Sequence, residues 1–320
     1  MRDNTVVVDK DPGADVGVRP VQIPGSPLIS GPFTHLAAER DRLAGLRWQN
    51  FDVHQVGSTL GAFISGIDLR VELADEVVDD LRQALLDYKV LFFRDQPITP
   101  DQHVAFARRF GDLEIHPFIP ANTGQPELVR FEKSAQVAGF ENTWHHDVTW
   151  RDTPSKGAIL HAIKVPPVGG DTLFSDMYAA YDSLDSDTRA EIEELAAVHD
   201  FTRAFGHALS EDQREQMRAK HPEVHHPLVC THSQTGRKHL YVNRIFVERI
   251  AGLSPEAGSA LLDRLCRQAD YPEHQVRLQW EPDTIAFWDN RAVQHYASSD
   301  YWPQIRVMER ASIVGDRPQR

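Results

Sequence analysis

The sequence predicts an α+β fold in which a β-sandwich carries flanking helices. Three observations predict it: helical spacing recurs early and in the middle of the chain, many short β-branched and aromatic runs surround it, and no 20- to 50-residue repeat suggests a solenoid. Residues 1–49 are rich in Pro, Gly and Asp without sustained periodicity before Phe33, so they are expected to form a flexible arm. Within that arm, FTHLAAERDRLAGLRW has the spacing of a short helix. The folded domain is expected over residues 50–320. FDVHQVGSTLGAFISGIDL alternates and carries glycines, as strands joined by turns do, and ELADEVVDDLRQALLDYK returns to helical spacing. KVLFFRD reads as a buried strand. TPDQHVAFARRFGDL begins with a Thr cap and a proline at the first helical position and stops at a glycine. SDMYAAYDSLDSDTRAEIEELAAVHDF is expected to be two helical pieces and SPEAGSALLDRLCRQAD another capped helix, while HLYVNRIFV, QVRLQW, TIAFWDN and IRVMERASIVG read as strands.

At 320 residues, 41% apolar and 25% charged, the composition is that of a globular protein able to bury a core. The net charge of -13, with no long Lys/Arg run, speaks against nucleic acid and anionic membranes as partners. Only Cys230 and Cys266 occur, far apart, which fits neither a disulfide framework nor a zinc knuckle; a reducing cytoplasm is expected. There is no membrane-length apolar run, and the start lacks the charged-then-apolar order of a signal peptide.

The most informative stretch is ENTWHHDVTW, residues 141–150. If it is extended, His145 and Asp147 share a face and His146 points away. WDNRAVQHYA offers His295 as a third ligand. Two histidines and one carboxylate on one face of a metal leave positions open, an arrangement suited to non-haem iron(II) and O2. With sixteen histidines a chance His-x-Asp is common, so the triplet alone carries little weight. More weight comes from Arg306, eleven residues beyond His295 and past the turn SSDYWPQ. An antiparallel return through that turn is expected to set its planar guanidinium beside the metal, where it needs an anion; 2-oxoglutarate fits. Arg310 shares the face of Arg306 and is expected either to hold an anionic group of a substrate or to form a structural ion pair. In PPVGGDTLF the glycines allow a close bend and Thr172 can offer its hydroxyl to the co-substrate. The same three ligands could instead hold zinc for hydrolysis, which leaves Arg306 and Thr172 unexplained.

The ordered stretches GAFISGIDL, VLFFRDQPITPDQ, FARRFGDLEIHP, TWHHDVTW, PPVGGDTLF, THSQTGRKHLYVN and WDNRAVQHYASSDY with RVMER resemble the taurine dioxygenase (TauD/TfdA) group of iron(II)- and 2-oxoglutarate-dependent oxygenases. The resemblance runs from about Phe51 to Pro318. It implies a double-stranded β-helix (jelly roll), iron(II) on His145, Asp147 and His295, and 2-oxoglutarate on Thr172 and Arg306. It places His116, Phe205, Phe246 and Arg310 around the substrate, with Glu141 where taurine enzymes carry Asn, Ile119 where they carry Tyr, and Glu309 where the family commonly has His. The expected activity is hydroxylation of a small anionic molecule (a sulfonate, alkyl sulfate or carboxylate), with succinate and CO2 as co-products; a natural-product intermediate is the alternative substrate. A homo-oligomer is expected by the same likeness.

Overall fold

The structure, a computed structural model, describes residues 21–22, 29–119, 121–122, 124–139 and 141–320. The chain divides into two units, Met1–Thr34 and His35–Arg320. Most of the expected arm lies outside the described residues; within the first unit, Val21–Gln22 pairs antiparallel with Ile29–Ser30.

In the second unit the helix expected in FTHLAAERDRLAGLRW is α1 (Ala37–Gly45). The alternating stretch after Phe51 becomes the antiparallel pair β1 (Asp52–Gln55) and β2 (Ala62–Ser65). Between them Gly61 has φ +85°, and any side chain there would be strained and pressed on Val276. α2 (Asp75–Tyr88) and the wholly buried β3 (Val90–Phe93) follow. α3 (Pro100–Arg108) opens with a reciprocal cap: the Thr99 hydroxyl accepts from the Gln102 N–H, and the Gln102 side chain accepts from the Thr99 N–H. β4 is Leu128–Lys133, β5 Gly157–Lys164 and β6 Thr172–Asp176. After two short helices come β7 (Ala196–His199), β8 (Val224–Pro227), β9 (Val229–Thr231), β10 (Lys238–Leu240) and β11 (Val247–Ile250). A capped helix, Pro255–Cys266, leads to β12 (Gln275–Leu278), β13 (Ile285–Asp289), β14 (Val293–Ala297) and β15 (Arg306–Ile313).

The architecture is mixed α/β. A seven-stranded sheet has the order β1-β2-β3-β13-β5-β15-β4, and a three-stranded sheet the order β12-β6-β14. Strand parity shows how they pack. On β13, Ile285 and Phe287 join a cluster with α2 and α3, whereas Ala286 and Trp288 join a second cluster with Phe174 of β6, Val276 of β12 and Val293 of β14. Helices thus cover one face of the large sheet and the small sheet covers the other. That explains why LFF and IAFW are apolar at every position: each strand is buried on both faces, and each large side chain withdrawn from water contributes about 1.5–3 kcal/mol.

Two expectations are corrected here. AAVH, read as the end of a helix, is strand β7, because β8 and β11 pair with it on both edges and that pairing overrides a weak helical preference. HLYVNRIFV is not one strand: the Asn243 side chain accepts from the N–H groups of Ile245 and Phe246 and turns the chain between β10 and β11.

Buried histidines make the fold acid-sensitive. Burial, aided by His161, lowers His103 to about 3; burial, aided by His232, lowers His239 to about 4. Both are neutral in the folded protein near pH 7. Their folded pKa values lie below the unfolded value, so their contribution is intact above pH ~6.5 and is lost as pH falls toward 4, on the order of 1 kcal/mol per group per pH unit. Chemical denaturation between pH 7 and 5 should show this loss; a flat stability across that window contradicts the assignment.

Candidate metal centre

His145 is joined to β14 by an isolated bridge: its N–H donates to the His295 carbonyl (3.1 Å) and its carbonyl accepts from the His295 N–H (2.9 Å). The chain then turns instead of continuing as a strand, and Val148 adopts φ +50°. Extended geometry is therefore limited to the bridge, yet His145 and Asp147 do converge. His145 Nε2 lies 3.8 Å from Asp147 Oδ1 and His295 Nε2 lies 4.0 Å from Asp147 Oδ2. Nitrogen and oxygen ligand atoms of all three lie within 4.8 Å of one another, a group that could hold one metal ion. His146 points elsewhere, fully buried with its ring 4.8 Å from that of Tyr241.

Local bonds prepare the ligands. His145 Nδ1 is 2.7 Å from the Thr143 carbonyl, so it carries the proton and leaves the Nε2 lone pair free. Burial, then the neighbouring His145, lowers His295 to about 3, which keeps its ring neutral and able to ligate. Burial would raise the Asp147 carboxyl, but Arg310, with His295 and His145, brings it down to about 2. Arg310 Nη1 donates to both Asp147 oxygens at 2.8 Å. Of the two roles open to Arg310, the structure shows the ion pair, and its partner is a candidate metal ligand.

Asn290 was not picked out from the sequence. It lies five residues before His295, and its side chain accepts from the Asp147 N–H (2.8 Å) while donating to the Asp147 carbonyl (3.1 Å). Its place in WDNRAVQHYA, close before a candidate ligand, was the one sequence signal, and it did not reveal the partner.

The expected hairpin to Arg306 is corrected. β14 and β15 do not pair: β14 lies against β6 and β15 against β5 and β4, so the turn SSDYWPQ crosses from one sheet to the other. His295 and Arg306 nevertheless line the same cavity, of about 760 Å3, because parity aims Arg306, Met308 and Arg310 between the sheets. Arg306 is 7% exposed, and its Nε and Nη2 have no hydrogen-bond partner among the described residues. Trp280 and Tyr301 lie 5.9 Å from its guanidinium carbon. Burial lowers its pKa, opposed by Tyr301, Glu141 and Asp171. Leaving a buried cation without a counter-ion is costly unless an anion arrives. The Gly170 bend, at φ +72°, brings backbone against Arg306 and Tyr301 side chains, where a Cβ would sit 3.3 and 3.2 Å away. Thr172 Oγ1 accepts from Trp280 Nε1 (2.9 Å), which leaves the Thr172 hydroxyl proton to donate.

The remaining expected pocket residues, His116, Glu141, Phe205 and Phe246, also line this cavity. His116 Nδ1 accepts from the N–H groups of Phe118 and Ile119, so Nε2 carries the proton. Burial, then Arg310 and Arg151, lowers it to about 3 and keeps it neutral. Glu141 pairs with Lys133 at 2.6 Å, a partner the sequence did not indicate. Phe205 stacks on Phe118 with ring centres 4.8 Å apart.

The family described as "Taurine catabolism dioxygenase TauD, TfdA family" matches residues 52–312. The chain is 35% identical over 276 residues to an alkylsulfatase of Acinetobacter baylyi, covering 84% of this chain and 86% of that protein. It is 36% identical over 276 residues to an (S)-phenoxypropionate/alpha-ketoglutarate-dioxygenase of Sphingobium herbicidovorans, covering 83% and 96%. A crystal structure of a taurine dioxygenase from Burkholderia xenovorans is similar with a TM-score of 0.74 at 35% identity, over 84% of this chain and 91% of that one.

Proposed function

This chain belongs to the taurine catabolism dioxygenase TauD, TfdA family, and from that premise we propose that it hydroxylates a small organic anion with O2 and 2-oxoglutarate at an iron(II) ion held by His145, Asp147 and His295. We read the two facing sheets as a double-stranded β-helix whose open end holds this centre. The donor set fits iron(II): two neutral imidazoles and one ionised carboxylate on one side of the ion, with the other side left for small ligands. When bound, the iron lets 2-oxoglutarate lose CO2 and become succinate, one oxygen atom of O2 entering succinate and the other the substrate.

The chain's own residues bind, orient and shield. Arg306 receives the far carboxylate of 2-oxoglutarate and Thr172 donates its hydroxyl to the same group. His116 offers Nε2–H, and Arg310 its Nε, which has no partner among the described residues, to the anionic group of the substrate. Phe205 and Phe246 cover the apolar body and keep water out. Glu141, held by Lys133, borders the same space. Hydroxylation is favoured over halogenation because a carboxylate, Asp147, takes the position that chloride would need. Arg306, which lines the same cavity as the triad with Nε and Nη2 lacking any partner among the described residues, carries the reading: a zinc hydrolase has no use for that second anion site.

The substrate classes are distinguished by succinate release and oxygen uptake across a panel of sulfonates, alkyl sulfates and carboxylates, with iron and 2-oxoglutarate both present. Release is expected for at least one anion and none without iron. Silence for every anion, with turnover of a neutral or cationic compound, would overturn the role given to Arg310. The buried cysteines, neither in a disulfide, fit a reducing cytoplasm. Among the described residues no helix is long and apolar enough to cross a membrane.

A further inference from the structure

We infer that Asn290 is the positioning residue of the metal centre: it holds the Asp147 carboxylate in place by gripping both backbone groups of that residue against a strained turn. The inference rests on the reading of His145, Asp147 and His295 as metal ligands.

Asn290 is fully buried, and each of its side-chain atoms is used. Oδ1 accepts from the Asp147 N–H at 2.8 Å, and Nδ2 donates to the Asp147 carbonyl at 3.1 Å and to the Ser155 carbonyl at 2.8 Å. A carboxamide is the only uncharged side-chain group that offers a carbonyl acceptor together with two N–H donors, the set used here. The clamp is itself anchored, since the Asn290 N–H donates to the Lys156 carbonyl at 3.0 Å, at the start of β5. Rigid sheet backbone therefore sets where Asp147 sits.

The turn needs holding. Val148, directly after Asp147, has φ +50°, a left-handed conformation costly for a β-branched residue and one that persists only where its surroundings over-determine it. Relaxation of Val148 would rotate the peptide that carries Asp147, and a carboxylate ligand displaced by about 1 Å no longer meets a metal shared with two histidines. Because Asn290 and His295 lie on the same short stretch, the clamp and the third ligand move together. Asn290 touches neither metal nor substrate in this scheme; it acts through Asp147.

The test uses the full chain and Mn(II) alone as probe, anaerobically and without substrate, reading the Mn(II) dissociation constant by calorimetry and the melting temperature without metal. The parent binding Mn(II), and His295→Ala failing to, checks the ligand reading separately. For Asn290→Ala the expected result is ten- to hundredfold weaker Mn(II) binding in a folded protein. Val148→Gly added to Asn290→Ala should recover most of that affinity, because glycine accepts the left-handed turn without a clamp. Parent-like Mn(II) affinity in Asn290→Ala would overturn the inference. If Asn290→Ala does not fold, the double variant decides: a folded protein that binds Mn(II) within about tenfold of the parent supports the inference, whereas one that also fails to fold, or folds without recovering affinity, overturns it.

Discussion

Arg306→Met is expected to cripple 2-oxoglutarate binding while making the protein more stable in the absence of co-substrate. Truncating one partner of a buried, hydrogen-bonded charge pair costs about 2–5 kcal/mol, roughly thirty- to several-thousandfold in affinity. The gain in stability has the opposite origin. With Nε and Nη2 buried and without a partner among the described residues, the guanidinium stays desolvated until an anion reaches it, and an unsatisfied buried polar group costs about 1–3 kcal/mol. Methionine fills similar space without that penalty. Calorimetric titration of 2-oxoglutarate into Mn(II)-loaded protein, with thermal melting of the metal-free protein, measures both effects. Parent-like affinity, or a lower melting temperature, contradicts the role of Arg306 as the anion anchor.

Asp147→Ala should do the reverse on stability and abolish metal binding altogether. It removes a proposed ligand and also strands Arg310, whose Nη1 is bonded to both Asp147 oxygens. Breaking a buried pair from one side typically costs about 3–5 kcal/mol because the remaining charge has no counter-ion. Adding Arg310→Met to Asp147→Ala should return much of the lost melting temperature without returning Mn(II) binding. A single Asp147→Ala variant as stable as the parent would show that the ion pair contributes nothing, and Mn(II) binding by that variant would remove Asp147 from the ligand set. The contrast between the two substitutions is informative: among the described residues Arg310 has a carboxylate partner and Arg306 has none, so removing Asp147 and removing Arg306 shift stability in opposite directions.

Much of this centre was legible in residue order. Helix α3 was predicted to its capping Thr99 because a cap is a local bond between neighbours. The pairing of His145 with Asp147 followed from spacing, although the strand assumed for it reduces to one bridge before the turn at Val148. Arg306 lines the cavity, but not by the expected route: adjacency in sequence suggested a hairpin, and strand pairing instead put β14 and β15 in different sheets. The split of HLYVNRIFV was hidden because a single side chain, Asn243, turns an otherwise strand-like run. The role of Asn290 was equally hidden, since its partner, Asp147, is 143 residues away.

By itself the sequence determined which residues are candidates to ligate a metal, which faces of its strands are apolar, where its helices begin, and the family whose ordered motifs it carries. These follow from local bonds, from side-chain period and from residue chemistry. Only the tertiary structure decided which charges are paired. Arg306 and Arg310 stand four residues apart on one face of one strand, yet Asp147 reaches Arg310 and no described group bonds Arg306 Nε or Nη2. That difference depends on where a turn from another part of the chain places one carboxylate, and long-range packing alone settles it.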